Sequence, residues 1–389
     1  MLLYRASREA IPLFALYALL FAERGLTTSQ IGTLLAVWSV TSFLLEVPSG
    51  AWADLIDRRL LLVASGAVYA VAFAAWLLWP SFVGFLSGFV LWSLSSALMS
   101  GTYEAYLFDE LAAAGRAHRY GRVKARAESL TVLVMAVAIG VAGPLHSLGG
   151  YLLVGWVSVG VALLHTLLAV ALPKVTPVTD LAEAPDPEPS SIRAWVSTLR
   201  AGMREAATGP GIRKVLMAYG TVVALVGLDE FFALILAEGG ASVGLLAWIL
   251  AGVSLLEAAA TWSAARVARL TGLPHAALVA TAGLLLAAGA WFTGPLSYLA
   301  IAVGYALATA SYVSGDIRLQ HAIAGPARAT ITSVAGLVAE LGFLVALGLI
   351  SLATLHHDLA PVATAVALVL TIPSTIAAYR VPAALSDPP

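Results

Sequence analysis

Apolar residues along this chain come in long, almost unbroken runs rather than in alternating or striped patterns. Runs long enough to matter lie near 2–23, 29–53, 60–79, 81–108, 125–146, 150–172, 213–237, 242–264, 273–293, 295–320, 328–354 and 358–380. A helix needs about 20 apolar residues to cross a bilayer, so each run predicts one transmembrane helix. Most connections are tight and rich in Gly, Pro or small polar residues, such as "WPS", "HSLGG" and "TGPLS". One is not. From 173 to 210 the chain turns polar, and its acidic, Pro-rich "TDLAEAPDPEPSS" reads as a linker. Behind it Ile192, Trp195, Val196, Leu199 and Met203 fall at helical spacing, with Arg193, Arg200 and Arg204 between them. Ser190 or Ser191 can cap the start. This predicts an amphipathic helix over 191–206, lying on the inner membrane surface or packed on the protein. The expected organisation is therefore six spans in 1–172, a cytoplasmic linker in 173–210, six spans in 211–381 and a tail in 382–389.

Composition fixes the solvent. Hydrophobic residues make up 60% of the 389 and charged residues 11%, against about 45–50% and about 25% in ordinary globular chains. So little polar cover cannot hide so much apolar surface from water; the fold class is an all-α membrane protein. The charge distribution then sets orientation. With the first end in the cytoplasm, only Arg24 of the 21 Lys and Arg residues falls on the outer side. That bias predicts cytoplasmic N- and C-termini in a multi-pass protein of the plasma (inner) membrane. Arg5 and Arg8 precede an apolar run as in a signal peptide, but no small-residue cleavage site follows, and the run reads as a retained first helix. With no basic stripe, a nucleic-acid partner is not expected. With no Cys, disulfides, thiolate zinc sites and thiol nucleophiles are excluded.

The two halves resemble each other. "LLA" at 34–36, "LLE" at 44–46 and Arg58 recur as "LLA" at 245–247, "LLE" at 255–257 and Arg269, each 211 residues on. Ser100-Gly101 recurs as Ser314-Gly315, and Arg126-Ala127 with Gly140 as Arg328-Ala329 with Gly342. Parallel repeats of this kind belong to transporters in which one half rocks against the other.

A more specific resemblance lies between the second and third spans. "GAWADLIDRR", Gly50 to Arg59, resembles the loop between helices 2 and 3 of the major facilitator superfamily, whose pattern is G-x-x-x-D-x-x-G-R-K/R. Gly50, Asp54, Arg58 and Arg59 match it, and Asp57 stands where the family has Gly. The wider "LLEVPSGAWAD" is similar to a bacterial branch, drug-efflux-like or uncharacterised. The resemblance implies two pseudo-symmetric six-helix bundles, alternating access around a solute held between the halves, and a gating role for Asp54 and Arg58. "GVAGPLHSLGG" resembles the glycine-proline motif of antiporters with its last Gly pair two residues late, and "RATITS" at 328–333 resembles a common start of helix 11. The fourth span lacks the intramembrane Arg of many proton-coupled drug exporters, with Trp92 and Ser93 in its place.

Ionisable residues inside spans mark functional candidates, because a charge there costs roughly 2.5–3.5 kcal/mol or more. Asp229 and Glu230 lie about 15 residues past Lys214, roughly 22 Å of helix rise, and point about 100° apart on a helix. Glu340 lies 12 residues past Arg328, roughly 18 Å in. A carboxylate at such depth can carry a proton near neutral pH. Glu46 and Glu257 occupy equivalent places in the two halves and read as scaffold, with Pro48 and Gly50 opening the backbone near Glu46. Glu104, late in the fourth span, has Arg318, Arg5 and Arg8 as possible partners, and Asp316 and Arg318 sit correspondingly late in the tenth. Arg5 and Arg8 read first as cations reaching lipid phosphates; alternatively Arg8, with Glu9, faces a cavity and attracts an anion. Tyr17, Tyr103, Tyr106, Phe231, Phe232 and Tyr312 line an amphipathic cavity or pack between helices. Lys124, Lys174 and Lys214 lack a phosphate-binding loop, the His residues are dispersed, and no H-E-x-x-H occurs, so no enzyme is expected. The expected function is secondary active transport of a small organic solute, with proton-coupled efflux ahead of uptake of a nutrient or organic anion. The partners would be that solute and the bilayer, with no cofactor beyond a proton gradient and a monomeric state. A sensor or scaffold on the same fold is the alternative from another class.

Overall fold

The structure is a computed structural model that describes residues 1–173, 209–323 and 328–382, without the side chains of 47–55, 210, 328–330 and 333. The linker with its predicted helix at 191–206 and the tail past 382 therefore lie outside the described residues. All regular structure among the described residues is helical. In chain order it comprises α1 Leu2–Ser7, a 3₁₀ turn Pro12–Ala15, α2 Tyr17–Glu23, α3 Thr28–Leu55, α4 Arg58–Leu78, α5 Phe82–Met99, α6 Thr102–Ala113 and α7 Tyr120–Val170. Then follow α8 Pro210–Val226, a 3₁₀ turn Gly227–Phe231, α9 Phe232–Glu238, α10 Val243–Trp262, α11 Ala264–Val267, α12 Leu273–Trp291, α13 Pro295–Ala322, α14 Arg328–Ala353 and α15 Leu359–Arg380. Among the described residues ten helical stretches are long and apolar enough to cross a membrane.

The first apolar run is not one of the ten, because it is broken rather than continuous. Pro12 has no N–H to continue α1, and the chain resumes as a 3₁₀ turn and then α2. In hydrocarbon each backbone group freed by such a break needs a protein partner. The Leu13 N–H finds one in Ser158 Oγ at 3.1 Å. The runs expected at 125–146 and 150–172 both fall within α7, whose 51 residues would rise roughly 75 Å if straight. That is more than twice the ~30 Å hydrocarbon core. The geometry breaks at Gly149 and at Gly150, whose φ of 61° favours glycine.

Helix starts follow from local sequence. Thr27 and Gln30 form a reciprocal capping box ahead of α3, Thr27 N–H to Gln30 Oε1 at 2.9 Å and Gln30 N–H to Thr27 Oγ1 at 3.2 Å. Asp57, the departure from the family pattern, caps α4 by accepting from the Leu60 N–H at 2.9 Å. One expectation about local backbone does not hold, and one sequence repeat differs in conformation. Pro48 and Gly50 do not open the chain, since α3 runs helical to Leu55. Ser100-Gly101 breaks its helix, with Gly101 at φ 71°, whereas Ser314-Gly315 continues inside α13.

By contacts the chain forms two units, Met1–Leu26 with Val37–Trp195, and Thr27–Ala36 with Val196–Pro389. In the first, an aromatic core joins α2, α4 and α5: Phe21 stacks on Phe85 with centroids 4.0 Å apart, and the Trp76 Nε1–H donates to the Phe85 carbonyl at 3.0 Å. Trp92, at the place considered for an intramembrane Arg, packs on Phe14, Phe73 and Phe89. In the second, the core of α8, α13, α14 and α15 gathers Val215, Leu319, Ile331 and Ala377. Large apolar side chains elsewhere point outward, among them Leu78, Leu148, Trp262 and Ile372; that is the surface a lipid-facing helix presents.

Helix approach in lipid relies on small residues. A Cβ built on Gly342 of α14 would stand 2.1 Å from the Gly220 carbonyl oxygen of α8, whereas one on Gly336 meets nothing within 4 Å. Gly342→Ala is expected to destabilise by about 1–3 kcal/mol through overpacking against backbone, and Gly336→Ala to leave stability unchanged. Thermal melts of the two purified variants side by side decide it, and equal melting temperatures would refute the close approach.

Candidate functional site

The first unit buries a cation. Arg8, just past the end of α1, is 6% exposed and does not extend to the lipid boundary. Its guanidinium donates from Nη1 to Ser95 Oγ at 3.1 Å and Ser65 Oγ at 3.4 Å, and from Nη2 to Ser96 Oγ at 2.9 Å. The Tyr69 ring lies 4.5 Å beneath it, and the Tyr69 hydroxyl donates to the Arg8 carbonyl at 3.3 Å. The break after α1 turns this side chain into the bundle, where α4 and α5 supply hydroxyls at matching depth. Arg5, one turn earlier, also finds protein rather than lipid, pairing with Glu128 at 3.1 Å and Glu9 at 3.5 Å. Glu104 faces Lys124 at 3.6 Å and none of the partners expected for it. Between these groups, at the breaks in both the first helix and the α5–α6 helix, lies a cavity of about 330 Å³.

The second unit gathers acids. Asp229 sits in the 3₁₀ turn between α8 and α9, half-buried, and accepts a hydrogen bond of 2.8 Å from the Tyr305 hydroxyl of α13. Glu257 of α10, half-buried, lies in the same neighbourhood. Three elements thus converge near one phenol. In a turn with three residues per revolution, Asp229 and Glu230 diverge by about 120° rather than 100°. Glu257 and Glu46, alike in sequence position, differ in setting: Glu46 is exposed on α3.

The remaining candidates separate. Glu340 is half-buried in α14, and Asp316 is exposed. Arg318 is 2% exposed but is committed to backbone, donating to the carbonyls of Val267 at 2.9 Å, Leu270 at 2.6 Å and Pro382 at 2.7 Å. It closes the chain end that follows α11. In the loop after α3, Arg58 pairs with Asp109 of α6, and Arg59 donates to the Val170 carbonyl at the end of α7. The side chains of Gly50 and Asp54 lie outside the described residues. Of the aromatic candidates, Tyr103, Tyr106, Phe231 and Phe232 are buried in packing, and Tyr312 accepts a 2.9 Å hydrogen bond from Tyr219. Sequence reasoning had passed over Tyr305, the Ser65–Ser95–Ser96 cradle and two buried histidines. One of these, His275, holds the Ala378 carbonyl and Ser311 Oγ. The clearest available signal was "SLSSALMS", four hydroxyls in one span. Among the described residues no group of three His, Cys, Asp or Glu side chains is placed to hold a metal.

Comparison with known proteins places this architecture. No family model matches the sequence. The uncharacterized MFS-type transporters MT2531 and Rv2456c of Mycobacterium tuberculosis are each 29% identical to it over 178 residues, 46% of this chain and 41% of the relative. The chain's match thus spans less than half the length of these curated relatives. Among solved structures, a bacterial homolog of the human lysosomal transporter Spinster, inward-facing and occupied, superposes with a TM-score of 0.76 at 14% identity, covering 97% of this chain and 94% of that one. The nucleoside transporter NupG gives 0.68 at 13% identity, covering 97% and 95%. The fold is the major-facilitator-type transporter fold. The chain shares its helical fold with these solved transporters, and ten of its helical stretches among the described residues are long and apolar enough to cross a membrane.

The Arg58–Asp109 pair is partly shielded, with 29% and 19% of the two side chains exposed. A double-mutant cycle with Arg58→Gln and Asp109→Asn is expected to give a coupling of about 1 kcal/mol in thermal stability. Strict additivity would show that the two charges do not meet.

Proposed function

We propose that the protein is a secondary active transporter that moves a small organic solute across the plasma (inner) membrane by alternating access, driven by the proton gradient. In this reading twelve spans form two six-helix bundles, 1–172 and 211–381, joined by the cytoplasmic segment 173–210, with both termini in the cytoplasm. The Lys and Arg distribution supports the orientation, and the length of α7 with its break at Gly149 and Gly150 supports counting it as two spans. The Gly50, Asp54, Arg58 and Arg59 set would act as the cytoplasmic gate, for which the Arg58–Asp109 and Arg59–Val170 contacts supply anchors within the first bundle.

One observation carries the coupling: the half-buried Asp229 carboxylate accepts from the Tyr305 hydroxyl at a break in a membrane helix, with the half-buried Glu257 nearby. Such a cluster can take up one proton from one face and release it to the other once the turn at Gly227–Phe231 repacks, since 3₁₀ segments inside helices commonly act as hinges. Glu230 and Glu340 stay as secondary candidates by depth alone. Export is the preferred direction, in keeping with the likeness of "LLEVPSGAWAD" to a bacterial branch that is drug-efflux-like or uncharacterised. Entry of an organic anion is the second reading, favoured by the buried Arg8.

A solute chosen by thermal-stabilisation screening across pH serves as the probe in proteoliposomes. Asp229→Asn is expected to reduce flux driven by a pH gradient at least about tenfold while solute exchange at equal pH persists, with Tyr305→Phe intermediate. Gradient-driven flux unchanged in Asp229→Asn and in Glu257→Gln alike would end the coupling proposal.

A further inference from the structure

We infer that the cavity beside Arg8 binds the carboxylate of a small organic monoanion, which makes such anions the solute class of the transporter proposed above; the inference rests on that reading. The walls include Arg5, Arg8, Glu9, Ser96, Met99 and Glu104, and the space is about 330 Å³. That is the lower end of the range for small-molecule sites, roughly 300–1,000 Å³.

Charge accounting selects the ligand. Arg5 is matched by Glu128 and Glu9, and Glu104 by Lys124. Of the charged side chains on this wall, Arg8 is the one with no carboxylate within ion-pair distance among the described residues; its partners are three neutral hydroxyls and a ring. A guanidinium out of water and opposed only by dipoles favours an anion strongly. The charged groups around the cavity cancel, Arg5, Arg8 and Lys124 against Glu9, Glu104 and Glu128, so a monoanion held on Arg8 adds a single negative charge, whereas a doubly charged phosphate would add two next to Glu9 and Glu104. Two further features point the same way. Ser96 Oγ accepts from Arg8, which leaves its own proton to donate into the cavity. The twelve-residue α6 starts at this wall behind Gly101, with no side chain capping its first amides; a helix N-terminus carries partial positive charge. Nothing lies within 4 Å of where a Cβ on Gly101 would project, so that side of the turn is open. Met99 offers an apolar surface to the rest of the solute.

The test is direct binding to the purified full chain in lipid nanodiscs, with benzoate and phenylacetate as probes against their uncharged amides. Wild type is expected to hold each carboxylate at least about tenfold more tightly than its amide, the size of one added charge-assisted contact. Arg8→Lys should weaken this preference and Arg8→Gln abolish it. Ser100, exposed on the cavity wall and absent from the Arg8 hydrogen bonds, provides a second variant if Arg8→Gln fails to fold: Ser100→Trp should block the carboxylates while keeping the wild-type melting temperature. A wild type without preference for carboxylate, or a preference that survives in Arg8→Gln or in Ser100→Trp, overturns the assignment. Loss of the preference while Asp229-dependent flux persists sinks the anion subsite and leaves transport standing. Carboxylate binding with no gradient-driven flux does the reverse.

Discussion

Hydrocarbon offers no hydrogen bonds, and most polar features of this protein follow from that constraint. A backbone amide freed by a helix break, or a guanidinium turned inward, must find its partners inside the bundle. Several of these demands are met locally, although the Nε atoms of Arg59 and Arg318 stay buried without a partner. The Leu13 amide released by Pro12 is taken by Ser158, and the chain end after α11 is closed by Arg318 reaching three carbonyls. The Trp76 indole is absorbed by the Phe85 carbonyl inside an otherwise apolar aromatic core. These residues look like functional candidates by charge or polarity alone. Their partners show them to be the means by which irregular backbone is tolerated in lipid.

What remains after that accounting is informative. Both units interrupt their first helix in mid-run with a 3₁₀ turn, Pro12–Ala15 in one and Gly227–Phe231 in the other. Each interruption lies beside a polar group: a cation balanced only by hydroxyls in the first unit, and an acid held by one phenol in the second. The two centres have opposite charge, although the units share a sequence repeat.

The spans were legible in the sequence because apolar length is a one-dimensional property, and the bilayer sets its scale. Glycine breaks were less so. Ser100-Gly101 and Ser314-Gly315 are the same dipeptide at equivalent places, yet one breaks its helix and the other stays helical with Tyr219 pressed close against Gly315. Neighbours across the bundle decide the conformation, and no local pattern reports them. Arg8 taught the same lesson. A cation near a helix end reads as one that extends to lipid phosphates, unless it is known that Ser65, Ser95 and Ser96 stand at its depth on two other helices. Asp229 stood out by its depth alone, while its relation to Tyr305, 76 residues away, appears only once α13 is packed against the turn.

The surroundings of the two centres also bear on how a single charge can be moved. Around Arg8 the hydroxyl partners are neutral and the ring is polarisable, so the cation is held in place without being neutralised; a carboxylate partner would have fixed it as a structural salt bridge. Around Asp229 the partner is a phenol, which can donate to an ionised acid or accept from a protonated one. Neither arrangement maximises stability. Leu in place of Asp229, or Met in place of Arg8, would suit a bundle that only had to stay folded in lipid, since a buried ionic group is seldom more stabilising than a well-packed apolar one. Both groups are held by neutral partners rather than by an opposite charge, which is what the proposed exchange of solute and proton would require.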